Sequence, residues 1–177
     1  MHTVSIRTPT MEDARAFIGL TRMSVGLHAP WVSPPTQLET YARYLESLDG
    51  HHKLGFLICR QVNGELLGLV NVSEIVRGAF HSAYLGYWIG APFSRQGYMR
   101  VGLNAVINHC FDAHHLHRLE ANIQPDNAAS IALVKGLGFR REGYSPDYLH
   151  IAGEWRDHER WAITNPDWGL PAQPECT

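Results

Sequence analysis

Between Ala91 and Met99 the chain reads Ala-Pro-Phe-Ser-Arg-Gln-Gly-Tyr-Met, a strand exit and a short loop with one glycine leading into a helix. A loop that opens a helix offers N–H groups with no partner inside that helix, together with the positive end of its dipole. Such a place takes an anion, and a pyrophosphate would fit it. Taken alone, a glycine at this place is most often an ordinary turn residue. Neither GxxxxGK[ST] nor GxGxxG occurs, so this is no Walker or dinucleotide loop. A second passage runs Pro125-Asp126-Asn127-Ala128-Ala129-Ser130, then Lys135-Gly136-Leu137-Gly138-Phe139. There Asp126 or Asn127 caps a helix, Gly136 or Gly138 ends it, and Phe139 packs in a core.

Other reactive side chains point elsewhere. Cys59, Cys110 and Cys176 are too few and too scattered for a disulfide framework or a CxxC metal clip, which fits a reducing cytoplasm. Cys110 falls within a helical stretch and reads as a small core residue. His109, His114, His115 and His117 crowd the end of that helix without a matching cysteine or carboxylate set, so no metal is expected. Histidine suits a helix C-terminus on charge grounds alone.

The elements that position these residues follow from periodicity. Val4 to Arg7 predicts a strand, and Thr10 with Asp13 makes a capping pair for a helix to about Met23. Leu27 to Pro35, with three prolines, predicts an irregular loop, and Leu38, Tyr41, Leu45 and Leu48 return to helical spacing over Gln37 to Leu48. Phe56 to Val62 and Leu66 to Val76 read as strands around Asn63-Gly64, a dipeptide that supplies the two positive φ angles of a tight hairpin. Ala83 to Gly90 is their antiparallel neighbour. A helix from about Met99 to His114, a strand Leu119 to Gln124, a helix Asn127 to Gly136 and strands Arg140 to Ile151 and Glu154 to Thr164 complete the pattern. No linker or repeat interrupts it, so residues 1–177 are expected to form one α+β domain. Its sheet would be mixed, mostly antiparallel and seven-stranded, with about four helices.

Composition sets the limits. Across 177 residues, 45% are hydrophobic and 18% charged, a globular balance, and the net charge of −2 offers no basic field for free nucleic acid. No signal-peptide pattern appears, and no apolar run approaches the roughly 18 residues of a membrane span. A soluble, cytoplasmic protein is expected, with monomer and homodimer both open.

Two passages in this order carry a resemblance. From Tyr84 to Gly143 the chain resembles the acetyl-coenzyme A core of the GNAT superfamily, in which a Q/R-x-x-G-x-G/A turn precedes a strand and an N-x-A-S helix ending in G-F. Leu116 to Asn122, Glu142-Gly143-Tyr144, Asp147-Tyr148-Leu149 and Gly153-Glu154-Trp155-Arg156-Asp157-His158 narrow it to the Rim-type branch, whose members acetylate N-termini of ribosomal proteins, with protein S5 the nearest case. Residues 1 to 60 match in layout only, with Trp31 where such proteins often carry a tryptophan. Ser94 and Met99 replace the ends of the family turn, Arg95 replaces a small residue, and Val134 stands where some relatives place a proton-donating tyrosine.

The resemblance implies that acetyl-coenzyme A lies in a V-shaped gap between the strands ending near Gly90 and Gln124. Its arm would pair with the backbone of Trp88, Ile89 and Gly90. Arg95, Gln96, Gly97, Tyr98 and Met99 would hold the pyrophosphate, with Asn127 and Lys135 beside them. An acceptor amine would attack directly, with Trp31 and Tyr87 on its side and no covalent enzyme intermediate. Ser130 would protonate the leaving thiolate, Asp147 would take the ammonium proton, and Asn122 would position the amine or a water. The acceptor is a protein N-terminus, from a ribosomal protein in the nearest case, or a small amine. A non-catalytic acyl-coenzyme A sensor is the reading outside the enzyme class.

Overall fold

The computed structural model describes residues 3–169; Cys176 lies outside them. Seven strands form one sheet in the order β1-β2-β3-β4-β5-β7-β6. They are β1 (Val4–Arg7), β2 (Leu54–Arg60), β3 (Leu66–Val76), β4 (Ser82–Ile89), β5 (Arg118–Ile123), β6 (Arg140–Ile151) and β7 (Glu154–Thr164). Among the described residues only β4 and β5 pair in parallel, joined through α4 (Tyr98–Asp112). The other helices are α1 (Ala14–Met23), α2 (Val25–His28), α3 (Leu38–Glu46) and α5 (Ala128–Gly136). The short α2 adds a turn of helix that the prolines after it had hidden.

Side-chain alternation along the strands feeds two cores. Ile58, Val70, Leu85 and Leu119 point to one face, where they meet Leu103, Val106 and Cys110 of α4 and Val134 of α5. Their neighbours Leu57, Leu69 and Trp88 point to the other, against Phe17 and Leu20 of α1 and Tyr41 of α3. The sheet thus lies between α4 and α5 on one side and α1 to α3 on the other. Every predicted strand and helix is present, with ends shifted by a few residues.

Local chemistry explains the boundaries. Thr10 N–H donates to Asp13 Oδ2 at 2.8 Å, and Arg7 clasps the same carboxylate, so a 3-10 turn over Met11–Asp13 precedes α1. The β2–β3 turn departs from expectation. Gly64 has φ +71, but Asn63 stays out of the left-handed region and accepts the Glu65 N–H on Oδ1 at 3.1 Å. The loop is therefore longer, and β2 stops at Arg60. Ala152 and Gly153, with φ +53 and +86, form a two-residue hairpin between β6 and β7.

Candidate active site

The site begins where β4 and β5 separate. They pair only at Ser82–Arg118, Ala83–Leu119 and Tyr84–Glu120. Beyond that point β4 stays with β3 and β5 stays with β7, so a gap opens through the sheet. Backbone groups alternate between the two edges of a strand. Gly90 N–H donates to Leu67 O at 2.8 Å on the β3 edge, so Tyr87 and Ile89 turn their amides to the gap. Ile89 O there accepts a hydrogen bond from His28 Nε2 at 2.9 Å. A cleft of about 930 Å³ occupies the gap and reaches both faces of the sheet.

At one end the cleft meets the loop before α4. Arg95 and Gly97 both have positive φ, +58 and +83, an alternation that curves successive N–H groups around a concavity suited to an anion. Side chains of the loop are occupied with its own backbone: Ser94 Oγ donates to Ala91 O at 3.0 Å and Gln96 Nε2 to Pro92 O at 2.8 Å. The first turn of α4 adds the dipole. Arg95, Gly97, Met99 and Arg100 line the cleft here.

On the α5 side, Tyr87 Oη and Ser130 Oγ lie 2.6 Å apart, and both line the cleft. Asn127 caps α5 by accepting Ser130 N–H on Oδ1 at 3.1 Å, which leaves the serine hydroxyl to the tyrosine. Burial pushes the Tyr87 phenol up to about 12, against a smaller opposing effect of the serine. Tyr87 therefore keeps its proton through the neutral range. This pair can deliver a proton into the gap.

The opposite mouth has different chemistry. Leu119, Ala121 and Ile123 of β5 point into the α4–α5 core, so Asn122 points to the other face. Its Oδ1 is buried and has no hydrogen-bond partner. Trp31, Tyr148 and His158 share this wall, where the neighbouring Tyr148 side chain, with burial, pushes the Tyr84 phenol up to about 12. A second hollow of about 430 Å³ adjoins it past Trp31 and Val32, reaching Pro34, Tyr44, Asn71 and His150. Among the described residues no cluster of histidine, cysteine, aspartate and glutamate is arranged to hold a metal ion.

Residues 3–140 match the acetyltransferase (GNAT) domain family. The chain belongs to this family. An Escherichia coli (strain K12) relative named [ribosomal protein uS5]-alanine N-acetyltransferase is 47% identical over 104 residues, 59% of this chain and 54% of the relative. The match thus spans about half of that protein's length. The ribosomal-protein-S5-alanine acetyltransferase of Vibrio fischeri superposes with a TM-score of 0.85 at 27% identity, covering 96% of this chain and 97% of that one. Mycobacterium smegmatis RimJ in complex with CoA-disulfide superposes with a TM-score of 0.83 at 31% identity, covering 91% and 81% respectively.

Of the residues named from sequence, this GNAT chain brings Trp31, Tyr87, Trp88, Ile89, Arg95, Gly97, Met99, Asn122, Asn127 and Ser130 to one cleft. Five fall outside its lining. Gly90 spends its amide on β3, and a Cβ there would meet Leu20 Cδ1 at 2.3 Å. Gln96 folds back on Pro92, as above. Tyr98 is buried beneath Arg60, whose guanidinium sits 5.0 Å from its ring centre. Lys135 lies over Trp161, its Nζ 5.3 Å from the ring centre. Asp147 is exposed, because the β6–β7 register slips between Ser145 and Leu149 and leaves it in a bulge with φ +45. Its N–H is held by Asp157 Oδ1 at 2.8 Å.

Sequence reading missed His28, Tyr148 and His158. His28 is buried beside Trp88, and because a carbonyl only accepts, Nε2 carries the proton and Nδ1 is an unpartnered acceptor. Burial lowers its pKa below the ordinary 6.5, an effect larger than the opposing bond to Ile89. The folded protein thus favours the neutral ring, and the unfolded chain binds the proton more readily as pH falls below about 6.5. Stability present above that pH is lost on acidification. Urea unfolding from pH 7.5 to 5.5 should fall more steeply for the wild type than for His28→Gln, and parallel curves would rule this out.

Proposed function

We propose that this chain transfers an acetyl group from acetyl-coenzyme A to the α-amine of a protein N-terminus, with a ribosomal protein as acceptor. The observation that carries the reading is the cleft through the sheet, with a proton-donating pair toward α5 and an orphaned acceptor atom at the opposite mouth. The family and the relatives named above support the chemistry and the class of acceptor.

The residues fit the coenzyme. Tyr87 and Ile89 would pair with its arm from the β4 edge, and the Arg95-to-Met99 loop would hold its pyrophosphate through backbone N–H groups. When bound, it supplies an activated acyl group. A gap-facing N–H of β4 would stabilise the charge that develops on the carbonyl oxygen. Tyr87 and Ser130 would supply the proton for the departing sulfur. Asn122 Oδ1 would accept a hydrogen bond from the amine and fix its line of approach.

Charge and acidity support this acceptor. Among the described residues that line the cleft, Glu74 is the one carboxylate, and those of the adjoining hollow include none. A polycationic amine would find little to neutralise it. Deprotonating an α-amine with pKa about 7.7–8 costs on the order of 1 kcal/mol at pH 7, whereas lysine at about 10.4 costs roughly 4–5 kcal/mol. A site without a strong base suits the former.

A panel of acceptors tests this. Peptides with a free small N-terminal residue, alanine first, should show kcat/KM at least ~10-fold above polyamines and lysine side chains, with mass spectrometry locating the acetyl group on the α-nitrogen. Modification confined to lysine side chains or small amines would overturn the acceptor class. Binding of acetyl-coenzyme A without turnover of any amine would favour the sensor.

A further inference from the structure

We propose that His158 takes the proton from the acceptor amine, with Asn122 holding the same nitrogen. This rests on the acetyltransferase reading above and assigns the base that sequence had given to Asp147.

The β5–β7 register places the two residues together. Asn122 lies opposite Arg160, and His158, two residues along, points to the same face. Diagonal neighbours of this kind have Cβ atoms roughly 7–8 Å apart or less, within reach of long side chains and of a group lying between them. Both residues line the cleft, and His158 is only 2% exposed. His158 Nδ1 lies 2.8 Å from Arg156 O. Since the carbonyl only accepts, Nδ1 carries a proton, and in the neutral ring the lone pair is on Nε2. The wall therefore offers an imidazole lone pair and, at Asn122 Oδ1, a buried oxygen with no donor. Two acceptors suit a nitrogen that brings more than one N–H.

Neighbouring groups are otherwise engaged. The Asp157 carboxylate accepts from the Tyr144 hydroxyl and the Asp147 N–H. Tyr148, with its ring centre 6.1 Å from that of His158, lies beside Tyr84, whose phenol its side chain helps to push up to about 12. Asp147 sits outside on its bulge. In the step, the neutral amine nitrogen forms a bond to the acyl carbon and the carbon–sulfur bond breaks. His158 Nε2 takes the proton that this nitrogen sheds, Ser130 Oγ gives one to the sulfur and regains it from the Tyr87 hydroxyl 2.6 Å away, and water returns Tyr87 and His158 to their starting states. No oxidant or further reactant is needed.

His158→Asn is the informative change, because asparagine keeps a side-chain N–H for the Arg156 carbonyl and lacks the basic nitrogen. Its kcat/KM for an alanine-led peptide should fall about 10²-fold, with coenzyme A affinity by calorimetry within about threefold of wild type. Wild-type kcat/KM in the folded variant would overturn the inference, as would a comparable loss confined to Asp147→Asn. Imidazole 15N spectra of the wild-type protein supply a readout apart from turnover and serve if the variant does not fold. With coenzyme A present, adding the peptide should shift the His158 Nε2 resonance, and an unmoved resonance would overturn the role. If the acceptor panel instead selects a small amine, these measurements made with that amine judge His158, so the two readings fail separately.

Discussion

Gly97→Val is expected to weaken coenzyme A binding about 10²-fold while leaving the protein folded. Gly97 holds φ +83 at the N-cap of α4, and beyond its immediate chain neighbours no described atom lies within 4 Å of the position its Cβ would take. The cost therefore comes from backbone conformation and not from a clash in the core. A left-handed conformation costs roughly 1–2 kcal/mol for an ordinary residue and more for a β-branched one. The loop would relax by rotating out of that region, which turns its N–H groups away from the concavity they form with Arg95. With the Gln96 and Ser94 side chains bonded to the loop itself, backbone donors would hold the pyrophosphate, and their misdirection would remove the main contacts. Calorimetry with coenzyme A checks this, with thermal unfolding as the control for folding. Wild-type affinity in a folded Gly97→Val protein would exclude the loop as the phosphate site.

The second large effect concerns the donor pair. Ser130→Ala should lower kcat by about 10²-fold, within the range of general acid catalysis, and leave coenzyme affinity nearly unchanged. Affinity survives because alanine keeps the N–H that Asn127 Oδ1 accepts, so the cap of α5 remains. Tyr87→Phe should cost a similar factor, because in the proposed step the phenol at 2.6 Å from Ser130 Oγ would replace the proton the serine gives. Since Tyr87 is held at about 12 by burial, it stays protonated from pH 6 to 9, and neither variant should remove a titration in that range. The two hydroxyls act as a unit, so the double variant should lose little more than either single one. Full additivity in steady-state kinetics, or wild-type kcat in either variant, would show that the pair is not the proton source.

The pairing of Ser130 with a second hydroxyl was not legible along the chain. Val134 occupies the position at which some relatives carry a donor tyrosine, and sequence therefore left Ser130 alone. The structure provides a tyrosine from another element: Tyr87 reaches Ser130 from β4 across 43 positions of sequence. Such a pair depends on which way β4 faces, and that is fixed only when β3 claims the alternate backbone groups and side chains.

Much of the fold was written in local patterns. Alternation marked the strands, the spacing of Leu38, Tyr41 and Leu45 marked α3, and the passages around Gly97 and Asn127 marked the two helix starts that face the cleft. These signals act over a few residues, through backbone preference and one-sided burial, so they survive without tertiary context. What the tertiary structure decided were the relations between strands. The slip in the β6–β7 ladder carried Asp147 out of the cleft, and the β5–β7 register brought His158 beside Asn122. Separation of β4 from β5 turned the amides of Tyr87 and Ile89 toward the gap. A shift of one residue in any of these pairings would invert which side chains meet, and register is set by the packing of whole faces against α4, α5 and α1, which no short segment contains.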